Sequence, residues 1–85
     1  MEWRDVDAVV GDRRFRVIAW EDLKAANGPA FVTHYHELIE LEIDGEPRRR
    51  WAEADFPVER HDTPEACIHA GLTHVDELGA GLKRR

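Results

Sequence analysis

Five histidines and a single cysteine are the residues of this chain best suited to chemistry. His34 and His36 stand two apart in a segment with strand periodicity, so their rings project from one face and could share a metal ion. Cys67, His69 and His74 add further ligand types close by in sequence. That second group does not converge. On a helix His69 and His74 sit about 140° apart, and Cys67 falls within an apolar arc where it packs as a small hydrophobe. The same spacing weakens Cys67 as a nucleophile, because an i,i+2 histidine diverges from it and His74 lies nearly two turns away. The chain carries no Gly-rich phosphate loop, nucleophile elbow or paired-cysteine motif. These residues predict a protein that is not an enzyme and holds no cofactor, with a metal-binding domain built on His34 and His36 as the alternative.

Arginines and tryptophans raise two further readings. Arg13, Arg14, Arg16 and the run Arg48-Arg49-Arg50 could serve a nucleic acid, which needs a contiguous positive surface. Against this, 18 acidic residues face 12 basic ones, and a net charge of −6 repels polyanions. The three tryptophans are Trp3, Trp20 and Trp51. Partly exposed Trp and Arg are enriched at protein interfaces and dominate their hot spots. Trp3 and Trp20 are therefore the candidate interaction surface, for a protein partner or for self-association as a homodimer.

These side chains must be positioned by strands and one helix. Residues 3–10 and 13–20 read as two strands joined at Gly11-Asp12, where glycine accepts positive φ at no steric cost. The turn predicts Val10 opposite Arg13, Ala8 opposite Phe15, Val6 opposite Val17, Asp7 opposite Arg16 and Trp3 opposite Trp20. Residues 21–26 favour a helical turn or loop, ended by Asn27-Gly28-Pro29. In residues 31–43, Phe31, Tyr35, Ile39, Leu41 and Ile43 share one face, interrupted by Glu37, while His34, His36, Glu40 and Glu42 share the other. Closing Asp44-Gly45-Glu46 as a three-residue loop predicts Glu42 opposite Arg48, Glu40 opposite Arg50, Ile39 opposite Trp51 and Glu37 opposite Glu53. The last pair calls for a bulge. In that register Arg16, Arg48 and Arg50 face acids across the strands, which largely cancels the positive patch and leaves a nucleic-acid-binding domain as the lesser alternative.

Thr63-Pro64-Glu65 marks a helix start: threonine caps, proline suits the first helical position and an acid suits the positive end of the dipole. Cys67, Ile68, Gly71, Leu72, Val75, Leu78 and Leu82 then form one amphipathic stripe. The order β–β–(short α)–β–β–α predicts a single α+β domain over residues 1–85. It is a two-layer arrangement in which an antiparallel sheet of three to four strands, built from two hairpins, carries one C-terminal amphipathic helix on one face.

Phe56-Pro57, then Asp62-Thr63-Pro64-Glu65-Ala66 and Ala70-Gly71-Leu72, resembles the ending of small uncharacterised bacterial domains in which one helix crosses a short sheet. The likeness covers about 25 residues of the last third, implies the same fold and implies no activity. The lone cysteine, the absence of an 18-residue apolar run and a start without signal-peptide character lead to the expectation of a cytoplasmic, non-membrane protein. Together these features predict a small acidic module for protein–protein contact or regulation, its charge suited to a basic partner. The metal alternative has its own consequence. One equivalent of zinc should raise the melting temperature by a few degrees, and His34→Ala with His36→Ala should abolish that rise in a thermal-shift titration.

Overall fold

The computed structural model describes residues 2–24, 28 and 30–83, with side chains described over 4–24, 28 and 30–79. Its elements are β1 (Glu2–Val10), β2 (Arg13–Glu21), β3 (Phe31–Ile43), β4 (Glu46–Glu53), β5 (Arg60–His61) and α1 (Pro64–Lys83). The sheet is open and antiparallel, in the order β1-β2-β3-β4, and β5 pairs with the first residues of β3. One helix packs on one face, as the amphipathic stripe requires, and the protein is of the α+β class. No described helix is long and apolar enough to cross a membrane.

The first hairpin has the register its turn and alternation predict. Val10 faces Arg13, Ala8 faces Phe15 and Asp7 faces Arg16, and Gly11 takes the positive φ of 63° that the loop demands. The ladder shifts between Glu2 and Arg4, so Trp20 lies opposite Glu2 and not opposite Trp3. A one-residue shift of this kind is a β-bulge, which interrupts pairing near strand ends. The expected Trp3–Trp20 pair is therefore not formed as a cross-strand neighbour, and the Trp3 side chain lies outside the described residues.

The second hairpin corrects the expected register. Asp44 and Gly45 both have positive φ, 54° and 80°, so they close a two-residue turn with Ile43 opposite Glu46. Aspartate tolerates the left-handed region, and Asp-Gly is a favoured pair for such a turn. Shortening the loop by one residue moves every side chain of β4 to the other face. Leu41 now faces Arg48, Ile39 faces Arg50, Glu40 faces Arg49 and Leu38 faces Trp51. Glu37 meets Ala52, not Glu53, and β4 continues to Glu53 without the expected bulge.

The core lies between α1 and the face of the sheet carrying Phe15, Val17, Ala19 and Tyr35, all buried. Burying a side chain such as Phe15 contributes roughly 1.5–3 kcal/mol. Phe56, from the segment between β4 and β5, folds back to stack edge-on against Phe15 at 5.3 Å and beside Tyr35 at 5.1 Å. Thr33 is buried too, and its hydroxyl accepts a hydrogen bond from the Glu59 N–H at 2.8 Å. The helix begins as expected: the Ala66 N–H donates to Thr63 Oγ1 at 3.2 Å. Cys67, Ile68, Gly71 and Val75 of the stripe are buried, with Leu72 and Leu78 packed beside them. The Leu82 side chain lies outside the described set, as do residues 25–27 and 29 of the expected helical turn, of which Leu23 and Lys24 form a turn.

At Gly71 the helix approaches the sheet so closely that a Cβ there would overlap Val17 Cγ1 and reach the Tyr35 ring at 3.4 Å. Both neighbours are buried and cannot swing aside. Gly71→Ala should therefore destabilise the fold by about 1–3 kcal/mol despite the better helix propensity of alanine, measured as a lower midpoint in urea unfolding.

Candidate functional site

The face of the sheet opposite α1 carries most of the side chains capable of recognition. Extended backbone sends Asp5, Asp7, Arg14, Arg16, Ile18, Trp20, Val32, His34 and His36 to this side, and the corrected β4 register adds Trp51. Trp20 is 41 % exposed, and its ring stands 5.4 Å from that of His34. Ile18 lies between Trp20 and Arg16 along β2, directly opposite His34, and is only 3 % exposed although no described helix covers it. Neighbouring side chains therefore shield apolar surface here. Leu23, in the turn after β2, is exposed and joins Trp20 and Val32 around a groove of about 300 Å³. Glu21, Asp22 and Lys24 complete its lining, so this end joins an aromatic and apolar patch to charged groups.

The other end is held by charge. Arg16 donates from Nε to Asp7 Oδ1 at 2.8 Å, and its guanidinium lies 4.1 Å from the centre of the Trp51 ring. The planar guanidinium pairs edge-on with the carboxylate while its face stacks on the indole. The Arg16 hydrogen bond holds the Asp7 carboxyl below the ordinary carboxylate range. On the helix side, Arg13 makes a two-pronged pair with Glu37, at 2.7 and 2.9 Å, which explains how an acid interrupts the apolar side of β3. That pair likewise lowers the Glu37 carboxyl and raises the Arg13 guanidinium.

His34 and His36 do share the helix-free face, as their spacing predicts, and Glu53 stands opposite His36. Among the described residues, however, no group of three or more His, Cys, Asp or Glu is placed to hold a metal ion. Cys67 is fully buried, and burial pushes its thiol above the ordinary cysteine value, away from the thiolate a nucleophile needs. Trp20 is on the face expected of it, as are Arg16 and Asp7; Trp51 joins them because the second turn is one residue shorter than expected.

One cluster was missed. Glu59 bridges two imidazoles: Oε2 lies 3.0 Å from His74 Nε2, and Oε1 lies 3.2 Å from His61 Nε2. His74 also brings Nδ1 to 3.7 Å from the Glu77 carboxylate, while that nitrogen is buried with no hydrogen bond. The alternation of Glu59 and His61 is visible in sequence, but His74 joins them only because α1 lies beside β5. The cluster ties the segment before the helix to the helix itself.

Fold and surface thus define a two-layer α+β protein with an open antiparallel sheet whose outer face no described helix covers. Comparison with protein-family models, curated proteins and solved structures finds no match for this chain.

Hydrogen bonds from His74 and then His61 hold the Glu59 carboxyl below the ordinary carboxylate range. A lowered folded-state value means that its contribution is complete above the unfolded value and is lost as pH falls through the folded one. Glu59→Gln should lower the melting temperature by a few degrees at neutral pH, and the difference from wild type should shrink on acidification below about pH 4. Paired thermal melts across that range check both statements.

Proposed function

We propose that this chain is a small acidic binding module of the cytoplasm whose protein partner seats on the helix-free face of the sheet around Trp20. The observation that supports this reading is the half-exposed Trp20 indole on that face, beside His34, Val32 and the exposed Leu23, with Glu21, Asp22 and Lys24 around the same groove. An aromatic anchor bordered by apolar contacts and rimmed by ion pairs is the usual composition of an interface hot spot. The Asp7–Arg16–Trp51 arrangement supplies that rim, already ordered before a partner arrives. A preformed surface loses less side-chain entropy on binding. The net charge of −6 favours a basic partner by steering its approach. The grooves of the described surface are open ones, which suits a macromolecular contact better than an enclosed small ligand.

A photoreactive residue introduced at His34 should give a discrete adduct in cells, whereas the same residue at Asp76, on the solvent side of α1, should give none. Trp20→Glu should abolish the His34 adduct. With the captured partner purified, Trp20→Ala should weaken binding by about 2 kcal/mol, roughly 30-fold. Equal labelling from both positions, or an adduct that survives Trp20→Glu, would refute the reading.

A further inference from the structure

We propose that two copies of this chain associate face to face through the arm formed by the far ends of β3 and β4. The arm is a consequence of strand lengths. β3 pairs with β2 over Phe31 to Glu37, and from Leu38 to Ile43 its only ladder partner among the described strands is β4, the β1–β2 turn standing across an open cleft from Leu38, Ile39 and Glu40. α1 packs on β1, β2, β3 and β5 but not on β4. Every residue from Glu40 to Arg50 is exposed. The resulting projection accounts for a radius of gyration of 14.6 Å, where a compact chain of this length has roughly 12 Å. An isolated two-stranded ribbon is marginal in water, and a second layer is what ordinarily stabilises one.

The side of the arm that continues the core face carries an apolar column, Ile39, Leu41 and Ile43, with Leu41 36 % and Ile43 49 % exposed. Beside it, across the strand pair, stand Arg50, Arg48 and Glu46 in matching order. This pattern is complementary to itself. A two-fold axis through Leu41, parallel to the sheet and perpendicular to the strands, places Ile43 over Ile39 of the second copy and Leu41 over its own counterpart. The same operation places Glu46 over Arg50 and Arg50 over Glu46, so both ends of the polar column meet opposite charge. Arg48 falls at the axis, where its bond to Glu46 within the same chain, 3.1 Å, offsets the like charge it meets. A uniformly acidic or uniformly basic partner would meet like charge at one end of this column; only a surface with the reversed order satisfies both.

Layer geometry agrees. Stacked sheets pack about 10 Å apart, so the second arm would occupy the level that α1 occupies over the rest of the sheet. Association would thus continue the second layer past the end of the helix, covering Leu41 and Ile43.

Sedimentation velocity on the full chain up to about 200 µM tests the proposal. Wild type should show a monomer–dimer equilibrium. Leu41→Glu, at a site exposed in the monomer, should shift the species to monomer and leave the melting temperature equal to that of wild type at concentrations where wild type is itself monomeric. Glu46→Arg and Arg50→Glu should each raise the dimer Kd about tenfold or more, because each change places like charges at two symmetric contacts. Together, Glu46→Arg with Arg50→Glu should restore it to within about threefold of wild type. Trp20→Glu should leave the dimer intact, which separates this interface from the one on the opposite face. A wild type that stays monomeric throughout, a double variant that fails to recover, or a dimer lost in Trp20→Glu would each overturn the proposal.

Discussion

At Gly71 the helix backbone lies so near the side chains of Val17 and Tyr35 that no Cβ fits between them, and the rest of the arrangement depends on this approach. A residue without a Cβ lets α1 settle onto the centre of the sheet. Val75 and Cys67 can then reach the floor of the core, and Phe56 can close it from the side against Phe15 and Tyr35. The same docking lays the helix beside β5, where Glu59 binds His61 and His74. One helix covers one side of a sheet and only part of its length. Among the described residues, the opposite face and the β3–β4 arm are therefore left without a second layer.

The two bare regions differ in how they tolerate water. On the outer face, Ile18 is shielded by its neighbours, Trp20 leans on His34, and Arg16 spans Asp7 and Trp51. Charged and aromatic groups there cover one another, so the face is ordered as well as exposed. On the arm, apolar side chains alternate with charged ones across a ribbon only two strands wide, and among the described residues no helix packs on β4. A surface of the first kind suits recognition of another protein, and one of the second kind calls for more of the same structure.

The first hairpin was legible because two independent signals agreed: a Gly-Asp loop and an alternation giving one mostly apolar face. The second was misread by one residue, since Asp44 can itself take positive φ and Asp44-Gly45 suffices as a turn. Alternation did not arbitrate there, because both β4 faces contain arginine and both β3 faces contain apolar residues in this stretch. With no helix above the arm, burial does not choose between the registers, and turn chemistry decides. The error hid Trp51 from the outer face and set Arg48 and Arg50 against glutamates, where they in fact stand beside Ile39 and Leu41. The bulge near Trp3 left no comparable trace in composition.

Sequence alone determined the order of the four long strands and the C-terminal helix, the α+β class, the Thr63 cap and the buried stripe of α1, because periodicity, capping and turn preferences act over a few residues; the two-residue β5 was not foreseen, and no described residue forms the short helix expected before β3. It also placed Trp20, His34 and His36 on the face away from the helix, since side chains alternate with a fixed period once a strand is recognised. Tertiary structure decided the rest: which strand ends run past their neighbours, that Glu59 meets His74, and that Arg16 stacks on Trp51. Those pairings join residues 15 and 35 positions apart. Their geometry is set by how the helix docks and where each ladder stops, and no local preference of the chain encodes either.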